Sequence, residues 1–154
     1  FIRLLGDMRS VNYVLEITPD FEAVQYRVRP IDFDQQSYHG RAKTYMAYHF
    51  DSNKVVTRMS FREMNRQTIA QYAEEERTQM ARRARAERAR LQALLRTMER
   101  EELAPMENII RLRNGLNRIH STDQFTECET MGALTKKHID LMLFDPDFAY
   151  HAGR

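Results

Sequence analysis

Hydrophobic and polar positions alternate in the first stretch of the chain. Val11, Tyr13, Leu15 and Ile17 alternate with Asn12, Val14 and Glu16, the two-residue period of a strand with one buried face. Thr18-Pro19-Asp20 carries turn chemistry, and Val24, Tyr26 and Val28 then alternate with Gln25, Arg27 and Arg29 up to Pro30. The pattern predicts an antiparallel hairpin of about seven residues a side. Residues 31–42 read as a loop with Gly40 near its end. A second, weaker hairpin is expected from 44–50 and 54–59 around Asp51-Ser52-Asn53. Two hairpins would give a small four-stranded sheet that needs cover on one face.

The period changes near residue 60. Ser60 and Glu63 fit a capping box, and Met59 with Met64 fits the flanking hydrophobic staple. No glycine or proline follows until Pro105, so one helix is expected over 60–103. At 100° per residue, Ile69, Ala73, Met80, Ala84, Leu91, Leu95 and Met98 fall within a sector of about 80°. Ile69–Met80–Leu91 and Ala73–Ala84–Leu95 each recur every eleven residues, so the stripe runs nearly parallel to the axis. A helix over 60–103 would be about 66 Å long, whereas a compact domain of this size is roughly 38 Å across. The expectation is a projecting helix whose seam docks on another chain. Pro105 then marks a kink or restart, a second helix is expected to end at Asn114-Gly115, and a third runs from about 130 to Phe144 before Asp145-Pro146. The organisation is thus a β-rich region (1–59), a long arginine-rich helix (60–103) and a helical C-terminal segment with an irregular tail (104–154). The fold class is α+β.

Charge refines this picture. The net charge is only +2 in 154 residues, but of the 24 basic residues four are lysine (Lys43, Lys54, Lys136, Lys137). Arginine presents a planar fork to carboxylates and phosphates, which favours fixed contacts, and a GC-rich genome gives the same skew. Arg77, Arg82, Arg83, Arg85, Arg88 and Arg90 form the densest block, broken only by Glu87. They scatter around the helix circumference, where a phosphate-binding helix would gather them on one side. Glu74–Arg77, Arg83–Glu87 and Glu87–Arg90 stand three or four apart and are expected to pair. These six arginines are nonetheless the candidate contacts for RNA or another anion.

Candidate chemistry is sparse. His39 near Asp32 and Asp34, and His49 near Asp51, have no spacing that forces a metal site. Cys128 sits between Glu127 and Glu129, which would raise a thiol pKa instead of activating it. A single cysteine makes no internal disulfide and fits a reducing, intracellular setting. Asp145 and Asp147 flank Pro146 as ordinary turn residues. Tyr13, Tyr26, Tyr45, Tyr48 and Phe50 near Arg27, Arg29 and Arg41 could stack bases, but alternating strand positions are more often core. No phosphate-loop, dinucleotide, nucleophile-elbow or zinc-protease motif occurs. The longest apolar run, 141–144, is far short of the ~20 residues that span a bilayer. The start at Phe1 fits a processed form, removal of an organellar presequence being one route, or a part of a longer chain.

These features predict a non-catalytic accessory or structural subunit of a large multiprotein assembly, with no cofactor or metal and other protein subunits as partners. A mitochondrial respiratory complex or ATP synthase suits the expectation. Two other readings use the same residues: an RNA-binding structural protein of an organellar ribosome, and a viral or phage structural protein. A small α+β enzyme would require His39, His49 and the acidic loop to converge.

Overall fold

The structure, a computed structural model, describes residues 13–21, 23–31 and 54–147. Strands β1 (Tyr13–Pro19) and β2 (Val24–Pro30) pair antiparallel, with Leu15 opposite Val28 and Ile17 opposite Tyr26. Opposed residues share a face, so Leu15, Ile17, Tyr26 and Val28 lie together while Glu16, Arg27 and Arg29 occupy the other side. The turn is tied by Asp20, whose N–H donates to the Ala23 carbonyl at 2.8 Å. Its carboxylate accepts from the Phe21 N–H and the Gln25 side-chain amide. On the charged face Arg29 reaches Glu16 at 2.8 Å.

The second hairpin is corrected by the structure. Its later arm lies in helix α1 (Lys54–Glu63), and its earlier arm, 44–50, is outside the described residues. Val55 and Met59, spaced as alternate strand positions, are also one helical turn apart. β-Branching biases a residue against helix by only a few tenths of a kcal/mol, too little to decide the element. The sheet is two-stranded among the described residues. A small antiparallel sheet followed by helices makes the chain α+β.

The single helix over 60–103 is also corrected. Ser60 lies inside α1, and the chain breaks at Met64-Asn65. There Asn65 adopts an extended conformation and caps α2 (Arg66–Ala86). Its Oδ1 accepts from the Thr68 N–H at 2.9 Å and from the Thr68 hydroxyl at 3.1 Å. Asparagine is among the strongest N-cap residues, and Asn65 takes the role expected of the Ser60–Glu63 box. A second break falls at Glu87 (φ −100°, ψ 25°), between α2 and α3 (Arg88–Arg100). Backbone bonds continue through it, from Glu87 N–H to Arg83 and from Leu91 N–H to the Glu87 carbonyl. It is a one-residue kink without glycine or proline.

Pro105 restarts the chain as expected, standing as N-cap of α4 (Met106–His120). Asn114-Gly115 does not end this helix. Gly115 is buried, and α4 continues to His120, closing on Ser121 in the left-handed region (φ 50°). The Thr122 N–H donates back to the Asn117 carbonyl, completing the orphan-carbonyl pattern of a helix end. Helix α5 (Met131–Phe144) begins where the sequence places it, capped by Thr130, whose Oγ1 accepts from the Ala133 N–H at 3.0 Å.

The core sits between α4, the turn after it, and α5. Ile109, Leu112 and Leu116 come from one face of α4 and meet Phe125, Met131, Leu134 and Leu141. Phe125 is fully buried, and burying such a side chain stabilises by about 1.5–3 kcal/mol. Asn117 holds it in place: Oδ1 accepts from the Phe125 N–H and Nδ2 donates to the Thr126 hydroxyl. The opposite side of α5 packs on the long helix pair, where Met142 and Leu143 meet Ala81 beside Met80 and Ala84. Apolar on two faces, α5 is the central helix.

Candidate protein-docking surface

The long helix pair and α5 run side by side in opposite directions, with Ala81 against Met142 and Leu143, and Leu95–Glu99 against Gly132. The approach at Gly132 is close. A Cβ there would lie 2.6 Å from the Glu99 Cγ and 3.0 Å from the Glu99 backbone nitrogen, so only glycine lets the two backbones meet. Glu102 ties the same end, its carboxylate accepting from the Met131 N–H at 2.6 Å and the Ala104 N–H at 2.8 Å. Negative charge is favoured at the N-terminus of α5. At the other end Arg77 donates to the Asp145 carbonyl at 3.1 Å, where the α5 dipole favours a cation.

Between these two ends lies an open groove of about 380 Å³. Ala84, Leu91 and Leu95 line one wall, and Ile139 and Phe144 the other. Arg85 and Arg88 stand at its rim, the Arg85 guanidinium lying 5.2 Å above the Phe144 ring. On the opposite rim Lys136 and Asp140 neutralise each other at 2.6 Å, which raises the Lys136 pKa. A smaller, more polar hollow beyond Arg85 is lined by Arg77, Arg82 and Leu143.

The expected seam residues divide. Met80, Ala84 and Leu95 pack towards α5, Leu95 being buried and the other two half-buried; Leu91 lines the groove. Ile69, Ala73 and Met98 are half-buried. The length argument therefore needs correction over this half: α5 of the same chain covers part of the seam, with α2 packed at one of its ends and α3 at the other.

The arginines divide as well. Arg77 is taken by Asp145 and by Glu74 at 2.9 Å, so the first expected pair forms and the residue serves the fold. The Arg83–Glu87 and Glu87–Arg90 pairs do not form, because Glu87 has left helical geometry at the kink and the three- and four-residue spacings lose their register. Among the described residues no carboxylate forms an ion pair with Arg82, Arg83, Arg88 or Arg90.

A second unsatisfied surface lies on the hairpin. Leu15, Ile17, Tyr26 and Val28 are 51%, 59%, 66% and 59% exposed. Alternation gave the face correctly, but no described element covers it.

Two features of the core bear on chemistry. His120 and His138 form a ring cluster with Phe125, at centroid distances of 5.9 Å for His120–Phe125 and 5.3 Å between the histidines. His138 is nine-tenths buried and neither of its nitrogens has a hydrogen-bond partner. Burial, then the charge of His120, pulls its pKa down to about 3. Burial also lowers that of His120 and raises that of the Cys128 thiol. The pairing of these histidines follows from the turn at 121–130, which no periodicity announces. Asp145 accepts from the Asp147 N–H in the turn expected of it.

His39, His49, Asp32, Asp34 and Asp51 lie outside the described residues, as do Tyr45, Tyr48, Phe50 and Arg41. Among the described residues no three histidine, cysteine, aspartate or glutamate side chains cluster to hold a metal. No helix there is long and apolar enough to cross a membrane.

Comparison with protein-family models, with curated proteins and with solved structures finds no significant match to the chain.

Proposed function

We propose that this chain is a non-catalytic structural subunit that docks within a larger multiprotein assembly. The observation that carries the reading is the open apolar face of the hairpin. A two-stranded sheet is marginal in water without cover, and an apolar patch framed by charge marks a protein contact site. The arginine-rimmed groove supports the same reading from a separate part of the molecule. A tagged chain in its native extract should sediment with a large particle, and should stay there at high salt and after ribonuclease. A lone monomer at every salt overturns the proposal. Co-fractionation with mitochondria would extend it to a respiratory complex or ATP synthase.

Arg82, Arg83, Arg85, Arg88 and Arg90, which have no carboxylate partner among the described residues, favour a second reading, a structural protein of a ribonucleoprotein such as an organellar ribosome. Binding through phosphates weakens log-linearly with salt, whereas an apolar contact persists, so the same gradient separates the two.

A further inference from the structure

We propose that the groove between α3 and α5 seats an amphipathic helix of a partner protein, one that carries carboxylates on the flanks of its apolar ridge. The inference rests on the docking role above and names the chemistry of the partner at one site. The lining is mostly carbon: Leu91, Leu95, Ile139 and Phe144 offer no hydrogen-bonding group from their side chains, and Gln92 adds a single amide. From Ala84 to Leu95 the wall is twelve residues long, about 16 Å or three helical turns. That length suits the i, i+4, i+7 anchors by which a helix lies in a groove.

Charge selects the partner's sign. Arg88 at the rim has no carboxylate partner among the described residues, and Arg85 has only the Phe144 ring. The one carboxylate on the rim, Asp140, is already held by Lys136. The groove is thus apolar inside and positive at its edge, and glutamates flanking an apolar ridge complement both features. A second copy of this chain would bring mostly positive charge to a positive rim: of its exposed apolar helix residues, Met59 and Phe61 travel with Arg58 and Arg62, and Leu94 with Arg90 and Arg96. Met106 and Ile110, beside Glu107, are the exception, so self-association is an outcome the test must exclude. RNA satisfies the rim but not the largely apolar lining, where sugar hydroxyls and base edges would meet one amide, that of Gln92.

The test uses the full chain and two labelled helical peptides of about 18 residues with leucines at groove spacing. One has glutamates on both flanks, and in the other every glutamate is lysine. At physiological salt the glutamate peptide should bind about tenfold more tightly or better. The double substitution Arg85→Glu, Arg88→Glu should reverse that preference. Both side chains are exposed, so circular dichroism should stay unchanged. In the unsubstituted chain, methyl resonances of Leu91, Leu95 and Ile139 should shift when the glutamate peptide is added. Equal affinity for the two peptides overturns the proposal, as does a set of shifts that avoids these methyls. So do displacement of the peptide by a uridine oligonucleotide, and self-association that closes the groove. The double variant also separates this inference from the broader role. If it still sediments with the large particle and the peptides show no preference, the chain docks elsewhere and only the groove assignment fails.

Discussion

His138 shows how one side chain can be tolerated in the core at a cost that depends on pH. Its ring is buried against His120 and Phe125 with both nitrogens unpartnered, so the neutral form is the one that fits. The folded pKa of about 3 lies well below the unfolded value of roughly 6.5. A base whose pKa is depressed by folding binds its proton more readily when unfolded. Stability is therefore whole above pH ~6.5 and is lost as pH falls from there towards 3, by up to about 1.4 kcal/mol per pH unit. Urea unfolding should show a loss of about 2 kcal/mol between pH 7.5 and 5. His138→Leu should be near neutral at pH 7.5 and should flatten most of that slope, with His120 contributing a remainder of the same sign. An unchanged slope in the variant would show that the ring is hydrated or displaced in solution.

At the scale of elements, the contact between α3 and α5 is decided by one missing methyl group. An alanine in a helix is ordinarily better than glycine by up to about 1 kcal/mol. At Gly132 the added Cβ would meet Glu99 at 2.6 Å and the backbone of α3 at 3.0 Å, an overpacking cost of about 1–3 kcal/mol. Overpacking exceeds propensity, so Gly132→Ala should lower the thermal midpoint, and a rise would mean that the helices do not approach so closely. The element boundaries teach the same lesson. The restart at Pro105 and the start of α5 near residue 130 were readable from sequence. The cap at Asn65 was missed, because the Ser60–Glu63 box satisfies the same local rules and only the packing shows where α1 ends. Gly115 read as a stop, yet it is buried in mid-helix while Ser121 takes the left-handed position.

Across the whole molecule, stability is unevenly distributed. The core joins α4, the 121–130 turn and α5, with α2 and α3 laid on the far side of α5. The hairpin keeps its backbone bonds but buries little side chain. Local opening free energies follow buried contacts. In the isolated chain, amides of 13–19 and 24–30 should exchange with solvent orders of magnitude faster than those of α4 and α5. Within the assembly proposed above they should be protected. Equal protection of hairpin and core in the isolated chain would show that the apolar face is covered by the chain itself.

The sequence by itself determined the elements whose signals are local: the hairpin and its apolar face, the restart at Pro105, and the start of α5 near Thr130. It also determined the apolar seam of the long helix, because a 3.6-residue period needs no knowledge of the partner. Tertiary structure decided what met that seam. The kink at Glu87 has no glycine or proline to announce it; α2 and α3 lie against opposite ends of α5 across it. The same packing left Arg88 unpaired beside an open groove and brought two distant histidines into contact. Such features depend on which faces come together, and periodicity along a chain records only that a face exists.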